Sequence, residues 1–337
     1  MTASRKRPDS RGPAKGANET GTRFDVVSFG EPMYEFSQVP GKAREYLQGF
    51  GGDTMNCAIA AARQGARVAY ICRVGDDEFA RQMFRLWEIE GIDASEVRSD
   101  PQAHTAVYFI SHGQHGHTFS YLRKNSAASR FCVDDLPAEM LQNTRFFYTS
   151  GITEAISTSA REAVFAAIDI ARRAGAKVVF DANFRPALWP VDEARDVIGS
   201  TIPLTDFLLL SLEDAASLTG LAEPELMLDW CMAAGARVAI LKLGPGGAVY
   251  TDGTVRKTVS GFKVNAVDAT GAGDCFAGSL MARLGVGDSL DAAVTYACAA
   301  AALTCTGFGA IDPLPHADEV VKLMAHRGAR DAAGETC

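Results

Sequence analysis

The sequence lacks the patterns that define several large classes of protein. It has eight cysteines in 337 residues but no Cys-x-x-Cys pair, which argues against zinc ribbons and dithiol redox motifs. Several cysteines, such as Cys72, lie in apolar runs typical of reduced core residues, so we expect a cytoplasmic protein. No run approaches the length of a membrane span and no apolar signal segment begins the chain, so we expect neither insertion nor secretion.

Acidic side chains outnumber basic ones outside the first twenty residues. The net charge is −8, yet those twenty residues hold five basic and two acidic side chains, so the remaining chain is more acidic still. An acidic body argues against nucleic acid as a partner. Any anionic ligand must therefore be bound by a few local cations. The hydrophobic content of 47% is typical of a globular protein with a sizeable core.

Two common nucleotide-binding motifs are also missing. Residues 264–281 predict an apolar strand, a turn of small residues and the start of a helix. The turn is not a Walker A loop, because no Gly-Lys-Ser/Thr follows its glycines, and it lacks the third glycine of the dinucleotide-binding fingerprint. The backbone amides of Gly271, Ala272 and Gly273 can approach an anion closely. Asp274 would repel a bound phosphate unless it serves as a general base. The alternative is that Asp274 is an ordinary first-turn residue of a helix.

The pattern of the chain predicts one α/β domain between two tails. Residues 1–22 and 331–337 are predicted tails, the first of them disordered, and residues 23–330 alternate β-branched runs with amphipathic, Ala-rich segments. Such alternation predicts a doubly wound, mostly parallel sheet flanked by helices. The predicted strands include Arg67–Arg73, Lys177–Phe180, Phe207–Leu210 and Val238–Leu243, and the predicted helices include Thr54–Arg63, Asp77–Glu90, Ser157–Ala174 and Leu290–Thr304.

One part of the chain predicts a small accessory sheet. Thr105–Ser111 and Thr118–Lys124 alternate apolar and polar residues with no helix between them, which indicates a hairpin. With Met33–Val39 and Glu45–Gly49 it could form a sheet spanning about 33–50 and 104–125 that acts as a lid or a subunit contact. His112, His115 and His117 have the spacing of metal ligands, but no fourth candidate lies near them in the sequence, and an ordinary loop is favoured.

Polar residues cluster where predicted strands end or helices begin. Gly51 and Gly52 precede a helix that Asp53 or Thr54 could cap, and Asn56 would point its amide near the helix start. A plain loop-to-helix transition is the alternative reading of this segment.

Three further segments carry residues that could contact a bound ligand. Asp181, Asn183 and Arg185 follow a predicted buried strand, at the sheet edge where ligands of open α/β sheets collect. Tyr121 and Arg123 share one face of a strand and suit a ligand with a carboxylate, although an exposed strand face is as good an interpretation. The Gly-rich turn at 242–248 could pass under a nucleotide or simply close a hairpin.

Taken together, these residues resemble the PfkB/ribokinase family of sugar kinases. The resemblance covers Phe24 to about residue 327 and rests on Gly-Gly-x-x-x-Asn at 51–56 and Asp-Ala-Thr-Gly-Ala-Gly-Asp at 268–274. Within the family the chain is most similar to the 2-keto-3-deoxygluconate (KDG) kinases, through Gly-Gly-Asp-Thr at 51–54, the run at 180–189 and Tyr-Leu-Arg at 121–123. Leu122 replaces the usual aromatic residue of that last motif.

The resemblance implies a role for each matching residue. Asp274 would be the base that deprotonates the terminal hydroxyl of the sugar, and residues 271–273 would form the anion hole. The acidic sugar would contact Gly52, Asp53, Asn56, Tyr108, Tyr121, Arg123 and Arg185. The nucleotide side would comprise Asn183, Arg185, Ser211, Lys242, Gly244, Gly246, Gly247, Gly271, Gly273 and Cys298. Asp214 would help to organise Mg²⁺, although Ser211 stands where the family has an asparagine.

By resemblance the chain is an ATP- and Mg²⁺-dependent kinase that converts KDG to 2-keto-3-deoxy-6-phosphogluconate and ADP. A monovalent cation is a further candidate cofactor, and the family suggests a homo-oligomer formed through the lid. Three alternatives stay open: a kinase of the same family acting on fructose, ribose, a nucleoside or a deoxygluconate isomer; a non-catalytic sugar- or nucleotide-binding relative; and, less favoured, a nicotinamide-dependent dehydrogenase.

Overall fold

Strands and helices alternate along most of the chain. A computed structural model describes residues 22–39, 41–113 and 116–332, without the side chains of 112–117 and 328–332. The strands are β1 (Phe24–Phe29), β2 (Met33–Gln38), β3 (Tyr46–Gly51), β4 (Val68–Ile71), β5 (Arg73–Gly75), β6 (Arg98–Asp100), β7 (Ala106–Gly113), β8 (Gly116–Leu122), β9 (Thr144–Ser150), β10 (Lys177–Asp181), β11 (Phe207–Ser211), β12 (Val238–Lys242), β13 (Gly247–Thr251) and β14 (Arg256–Ser260). The helices are α1 (Asp53–Arg63), α2 (Glu78–Ile89), α3 (Ala138–Gln142), α4 (Gly151–Ile156), α5 (Thr158–Arg173), α6 (Val191–Thr201), α7 (Leu212–Thr219), α8 (Pro224–Ala233), α9 (Ala272–Gly285), α10 (Leu290–Thr304) and α11 (Ala317–Ala332).

The large sheet has eight strands in the order β4-β1-β9-β10-β11-β12-β13-β14. The first six are parallel, and β13 and β14 continue the sheet in antiparallel pairs. Both faces of the sheet are covered, because alternate residues of β10 enter different cores: Val179 packs with α1, α9 and α10, whereas Val178 and Phe180 pack towards α5 and α6. The predicted doubly wound, mostly parallel sheet is thus present.

A separate four-stranded sheet, which we call the lid sheet, has the order β3-β2-β7-β8. β7 and β8 pair as an antiparallel hairpin, and β2 joins β7 in parallel and β3 in antiparallel register. The pairing places Tyr121 opposite Tyr108 and Leu122 opposite Val107, so Tyr121 and Leu122 point to opposite faces. β5 and β6 form a further, two-stranded parallel sheet.

Two local predictions were wrong. Residues 264–267 do not form a strand. Val267 is 46% exposed, and its amide donates to the carbonyl of Cys305, the residue after α10, at 2.8 Å. The segment therefore contacts the end of that helix instead of extending the sheet beyond β14. Neither Asp53 nor Thr54 caps α1. The N-cap is Gly52, which has a φ of +107° and makes no side-chain cap bond, and Asp53 lies inside the first turn.

The other segments agree closely with the pattern. α10 has the predicted bounds, and α2 and α5 begin one residue after the side-chain caps Asp77 and Ser157, which had been included in the predicted helices. The predicted tails at 1–22 and 331–337 lie almost wholly outside the described residues. Within the described ranges, no helix is both long and apolar enough to cross a bilayer.

Candidate functional site

A cleft of about 750 Å³ lies at the carboxyl ends of the parallel strands, between them and the lid sheet. It brings together most of the residues that the sequence singled out. The lining includes Gly52, Asp53, Asn56, Tyr108, Tyr121, Arg123, Asn183, Arg185, Ser211, Asp214, Lys242, Gly244, Gly271, Gly273 and Asp274. Asp274 and Arg185, which are far apart in sequence, therefore face one shared space.

The start of α9 forms one wall of the cleft. Gly271 is its N-cap with a φ of +76°, and a Cβ there would lie 2.7 Å from the Ala310 carbonyl oxygen, so only glycine fits. The amide of Ala272 is already donated to the Ala269 carbonyl at 3.2 Å. In contrast, the amides of Gly273 and Asp274 have no acceptor within the helix, because they belong to its first turn. The helix N-terminus thus offers the cleft N–H donors and the positive end of its dipole.

Asp274 is held by a residue from the other end of the chain. Asn56 Nδ2 donates to Asp274 Oδ2 at 2.8 Å, and the two lie on α1 and α9, which pack against each other. Burial raises the pKa of Asp274 to about 8, with a further upward contribution from Asp53 and opposing ones from Asn56 and Lys242. A carboxyl group whose pKa lies near neutrality is suited to accept a proton from a hydroxyl.

Two more polar pairs involve residues of the cleft wall. Asn183 has a φ of +35° and donates Nδ2 to the buried Asp53 carboxylate at 3.0 Å, which ties the chain after β10 to the start of α1. Lys242 Nζ lies 2.5 Å from Asp181 Oδ2. Burial lowers the pKa of the Lys242 ammonium, but Asp181 outweighs it and the net shift of the pKa is upward. The lysine therefore stays charged beside Gly273, whose Cβ would lie 3.1 Å from Nζ.

The lid sheet contributes two tyrosines to the cleft. The rings of Tyr108 and Tyr121 have centroids 6.0 Å apart, and the Tyr108 hydroxyl donates to the buried Glu35 carboxylate. Burial raises the pKa of the Tyr121 phenol, and the positive charges of Arg123 and Arg185 oppose that rise. The Arg185 side chain is half-exposed and donates Nη1 to the Phe184 carbonyl at 2.9 Å.

Sequence reasoning missed Glu31, although a usable signal was present. Glu31 is 1% exposed and lines the cleft; its Oε1 accepts the Ser126 hydroxyl at 2.5 Å, and its Oε2 lies 2.5 Å from Arg123 Nη2. The residue comes two positions after β1 ends, so the rule that ligands collect at carboxyl ends of strands could have identified it. Its partner Arg123, which we expected to face an acidic sugar, is thus paired within the chain.

The proposed metal residue has a structural role of its own. Ser211 caps α7 by accepting the Asp214 amide at 3.0 Å, and Asp214 Oδ2 accepts the Ser211 amide at 3.3 Å. Asp214 Oδ1 lies 3.9 Å from Arg185 Nη1, and burial raises the pKa of Asp214. Among residues 22–39, 41–113 and 116–332 there is no group of three His, Cys, Asp or Glu that could hold a metal.

Four predicted residues do not line the cleft: Ala272, Gly246, Gly247 and Cys298. Gly247 starts β13 with a φ of +96°, and a Cβ there would lie 2.5 Å from the Gly261 amide nitrogen, so the hairpin itself requires glycine. Cys298 is 6% exposed and packs in the core between α10 and the sheet. The side chains of His112, His115 and His117, for which an ordinary loop was favoured over a metal site, lie outside the described residues.

The comparisons agree with this architecture. The model of the pfkB family carbohydrate kinases matches residues 23–317. The chain is 34% identical to fructokinase-1 of Oryza sativa subsp. japonica, over 89% of this chain and 97% of that protein. It is also 34% identical to 2-dehydro-3-deoxygluconokinase of Thermoproteus tenax, over 92% of this chain and 97% of that protein. The structure of the fructokinase of Xylella fastidiosa with bound ATP superposes with a TM-score of 0.83 at 26% identity, covering 90% and 99% of the two chains. The expected ribokinase-like fold is confirmed.

Proposed function

We propose that this chain, which belongs to the pfkB family of carbohydrate kinases, transfers the γ-phosphoryl group of ATP to the terminal hydroxyl of KDG. A relative named 2-dehydro-3-deoxygluconokinase supports this sugar, but the chain has the same sequence identity, 34%, to a fructokinase. The sugar assignment therefore rests on the two arginines that line the cleft. The single observation that carries phosphoryl transfer is the position of Asp274 beside the free amides at the start of α9.

In the proposed reaction, Asp274 accepts the proton of the terminal hydroxyl as its oxygen attacks the γ-phosphorus. The new O–P bond forms while the bond to the bridging oxygen of ADP breaks, which gives 2-keto-3-deoxy-6-phosphogluconate and ADP. Asn56 orients the Asp274 carboxylate. The amides of Gly271, Gly273 and Asp274 and the Lys242 ammonium would stabilise negative charge on the transferring group, whereas the Ala272 amide, also predicted for the anion hole, is already donated to the Ala269 carbonyl.

The remaining lining residues divide between the two substrates. Tyr108 and Tyr121 belong to the lid sheet and Arg123 directly follows it, and together with Gly52, Asp53 and Asn56 they would contact the sugar, with Arg123 and Arg185 facing its carboxylate. Asn183, Ser211, Lys242 and Gly244 lie along the ends of β10, β11 and β12 and would contact ATP. The roles of Ala272, Gly246, Gly247 and Cys298 stay predictions.

The acidic side chains of the cleft fit Mg²⁺ carried by a nucleotide better than a metal held by protein alone. Asp214 is a hard oxygen donor on the cleft wall, and Mg²⁺ at kinase sites takes one or two carboxylates plus phosphate oxygens and water. Bound there, the ion would neutralise phosphate charge. Asp214 would act in this way from its position beside Ser211 and Arg185. Dependence of the rate on potassium concentration tests the predicted monovalent cation.

We also assign residues 23–330 to the kinase domain and 33–50 and 104–125 to a lid that closes over the sugar and excludes water. The lid sheet exposes Tyr46 (41%), Phe109 (37%) and Leu122 (57%), which supports a homo-oligomer formed through it. A cytoplasmic location stays a prediction.

A second candidate is a fructokinase. The Glu31–Arg123 pair favours it, because an arginine whose charge is already balanced attracts a sugar carboxylate less strongly.

Coupled ADP-release assays on KDG, its galactose-derived epimer, gluconate, fructose and ribose test the proposal. We expect the highest kcat/KM on KDG and a loss of about 10²–10⁴-fold in kcat for Asp274→Asn, with sugar binding retained. Faster phosphorylation of fructose would transfer the assignment to the second candidate. Absence of kinase activity on every sugar would favour the non-catalytic alternative.

A further inference from the structure

The contact between Glu31 and Arg123 links the main sheet to the lid sheet inside the cleft. Glu31 follows β1 of the main sheet, whereas Arg123 follows β8 of the lid sheet. Their side chains are 1% and 14% exposed, and Oε2 lies 2.5 Å from Nη2. The Ser126 hydroxyl donates to the other oxygen of Glu31 at 2.5 Å, so one carboxylate oxygen is hydrogen-bonded while the other faces the guanidinium.

The pair is close but is not a closed, well-directed hydrogen bond. Within the described part of the chain, Glu31 Oε2 and Arg123 Nη2 have no aligned hydrogen-bond partner, although both are buried. Both residues line the cleft, so a ligand group can still reach them. A guanidinium has five N–H donors, and one carboxylate contact leaves the others for a substrate.

We infer that Glu31 determines the preference of the cleft for charged or neutral sugars by acting through Arg123. Its negative charge offsets the field of the guanidinium at short range, where the surrounding protein screens weakly. Arg123 then offers directional donors rather than an uncompensated charge. The inference rests on the proposed sugar kinase function and deepens it: Glu31 is a positioning residue that lowers the selectivity for acidic over neutral sugars.

Two variants distinguish the effect of the charge of Glu31 from the effect of its side-chain length. Glu31→Gln keeps an acceptor for Arg123 or Ser126 but removes the charge, whereas Glu31→Asp keeps the charge and shortens the side chain. The readout is the ratio of kcat/KM for KDG to that for fructose. We expect Glu31→Gln to raise this ratio about tenfold, mainly through the KM for KDG, and Glu31→Asp to leave it at the wild-type value.

Glu90→Gln is the matched control. Glu90 forms a second buried pair with Arg63 at 2.6 Å, and neither residue lines the cleft. This variant loses the same charge and suffers a comparable loss of ion pairing, so it should leave the ratio unchanged. In the double variant Glu31→Gln/Arg123→Met, both charges are gone, and the change at residue 31 should no longer raise the ratio above that of Arg123→Met alone.

The outcomes distinguish this inference from the proposed function. An equal change in kcat/KM for both sugars in Glu31→Gln would assign Glu31 a purely structural role and overturn the inference. A wild type that prefers fructose would correct the proposed substrate, yet a raised ratio in Glu31→Gln would still support the inference. If the wild type phosphorylates neither sugar, calorimetry measures the dissociation constants of KDG and fructose. The ratio of the two affinities then replaces the ratio of kcat/KM as the test of the inference.

Discussion

Asn56 and Asp274 are separated by 218 positions in the chain, and yet Asn56 Nδ2 lies 2.8 Å from Asp274 Oδ2. The contact joins the first core helix, α1, to the helix that carries the proposed base, α9. The orientation and the pKa of the Asp274 carboxyl therefore depend on how closely these two helices pack. The first two predictions use this dependence.

The pH dependence of the rate should move in opposite directions when the two neighbours of Asp274 are changed. Because the pKa of Asp274 is raised to about 8, kcat/KM should rise with pH as the carboxyl loses its proton. Asn56→Ala removes a group that lowers this pKa, so the rise should occur at higher pH. Asp53→Asn removes a charge that raises it, so the rise should occur at lower pH. Profiles of kcat/KM from pH 5 to 10 test this, and shifts in the same direction would exclude Asp274 as the titrating group.

The close approach of α1 and α9 depends on Gly278. A Cβ at this position would lie 2.8 Å from the Ala61 amide nitrogen and still closer to the Cys57 carbonyl oxygen. Gly278→Ala should therefore push the helices apart, reduce the free energy of unfolding by about 1–3 kcal/mol and lower kcat by disturbing the Asn56–Asp274 contact.

Gly199→Ala is the control for that variant. Gly199 lies inside α6, and a Cβ there meets nothing within 4 Å, so alanine should stabilise the protein by roughly 0.5–1 kcal/mol and leave kcat unchanged. Urea unfolding and steady-state assays measure both effects. A Gly278→Ala protein with wild-type stability and activity would contradict this account of the helix contact.

Glu154, a buried acid outside the cleft, should contribute to a fall of stability as pH rises. Glu154 is fully buried, its Oε1 accepts the Thr201 hydroxyl at 2.6 Å, and burial raises its pKa to about 8. The folded state therefore retains a proton that the unfolded state loses near pH 4.5. Between those values this group should lower the free energy of unfolding by about 1.4 kcal/mol per pH unit at most, and above about pH 8 the loss is complete.

Glu154→Gln should remove that contribution and make the protein more stable than the wild type at pH 8, with little difference near pH 4.5. Glu193→Gln is the control, because Glu193 pairs with Arg161 at 2.8 Å on the surface and should leave the pH slope unchanged. Urea unfolding between pH 5 and 9 measures the slopes. Equal slopes for the wild type and Glu154→Gln would mean that Glu154 ionises normally in the folded protein.

The lid sheet should also control assembly. Leu122 is 57% exposed and points away from Tyr121, so Leu122→Glu places a charge on the proposed contact without changing the cleft wall. We expect a smaller molecular mass by light scattering after size-exclusion chromatography. Ile89→Glu, at the 80% exposed end of α2, should leave the mass unchanged. An unchanged mass in Leu122→Glu would assign the oligomer contact, if there is one, to another surface.

Local patterns predicted most of the elements because they depend on residues close in sequence. Leu290–Thr304 follows a serine cap with a helical apolar pattern, and its bounds were predicted correctly. The failed strand at 264–267 shows the limit of such patterns. Three of its four residues are apolar, but a strand forms only where an edge of the sheet accepts it, and here the Val267 amide donates to the Cys305 carbonyl instead.

The candidate site was predictable where the type and the position of a residue are enough to indicate its role. Gly271 and Asp274 form a recognisable turn and helix start, and Asp181 ends β10, with Asn183 and Arg185 just after it. The pairing partners were not predictable. Whether Arg123 stays available to a ligand depends on Glu31, which is distant in sequence and carries no motif that would mark it as the partner of Arg123.

By itself, then, the sequence determined the class of fold, the family resemblance and the identity of the groups able to do chemistry, because these depend on periodicity, turn residues and short motifs. Only the tertiary structure decided the charge state and availability of those groups. The raised pKa of Asp274, the paired state of Arg123 and the separation of Cys298 from the cleft all arise from burial and from contacts between distant segments. Such contacts exist only after the helices and both sheets have packed.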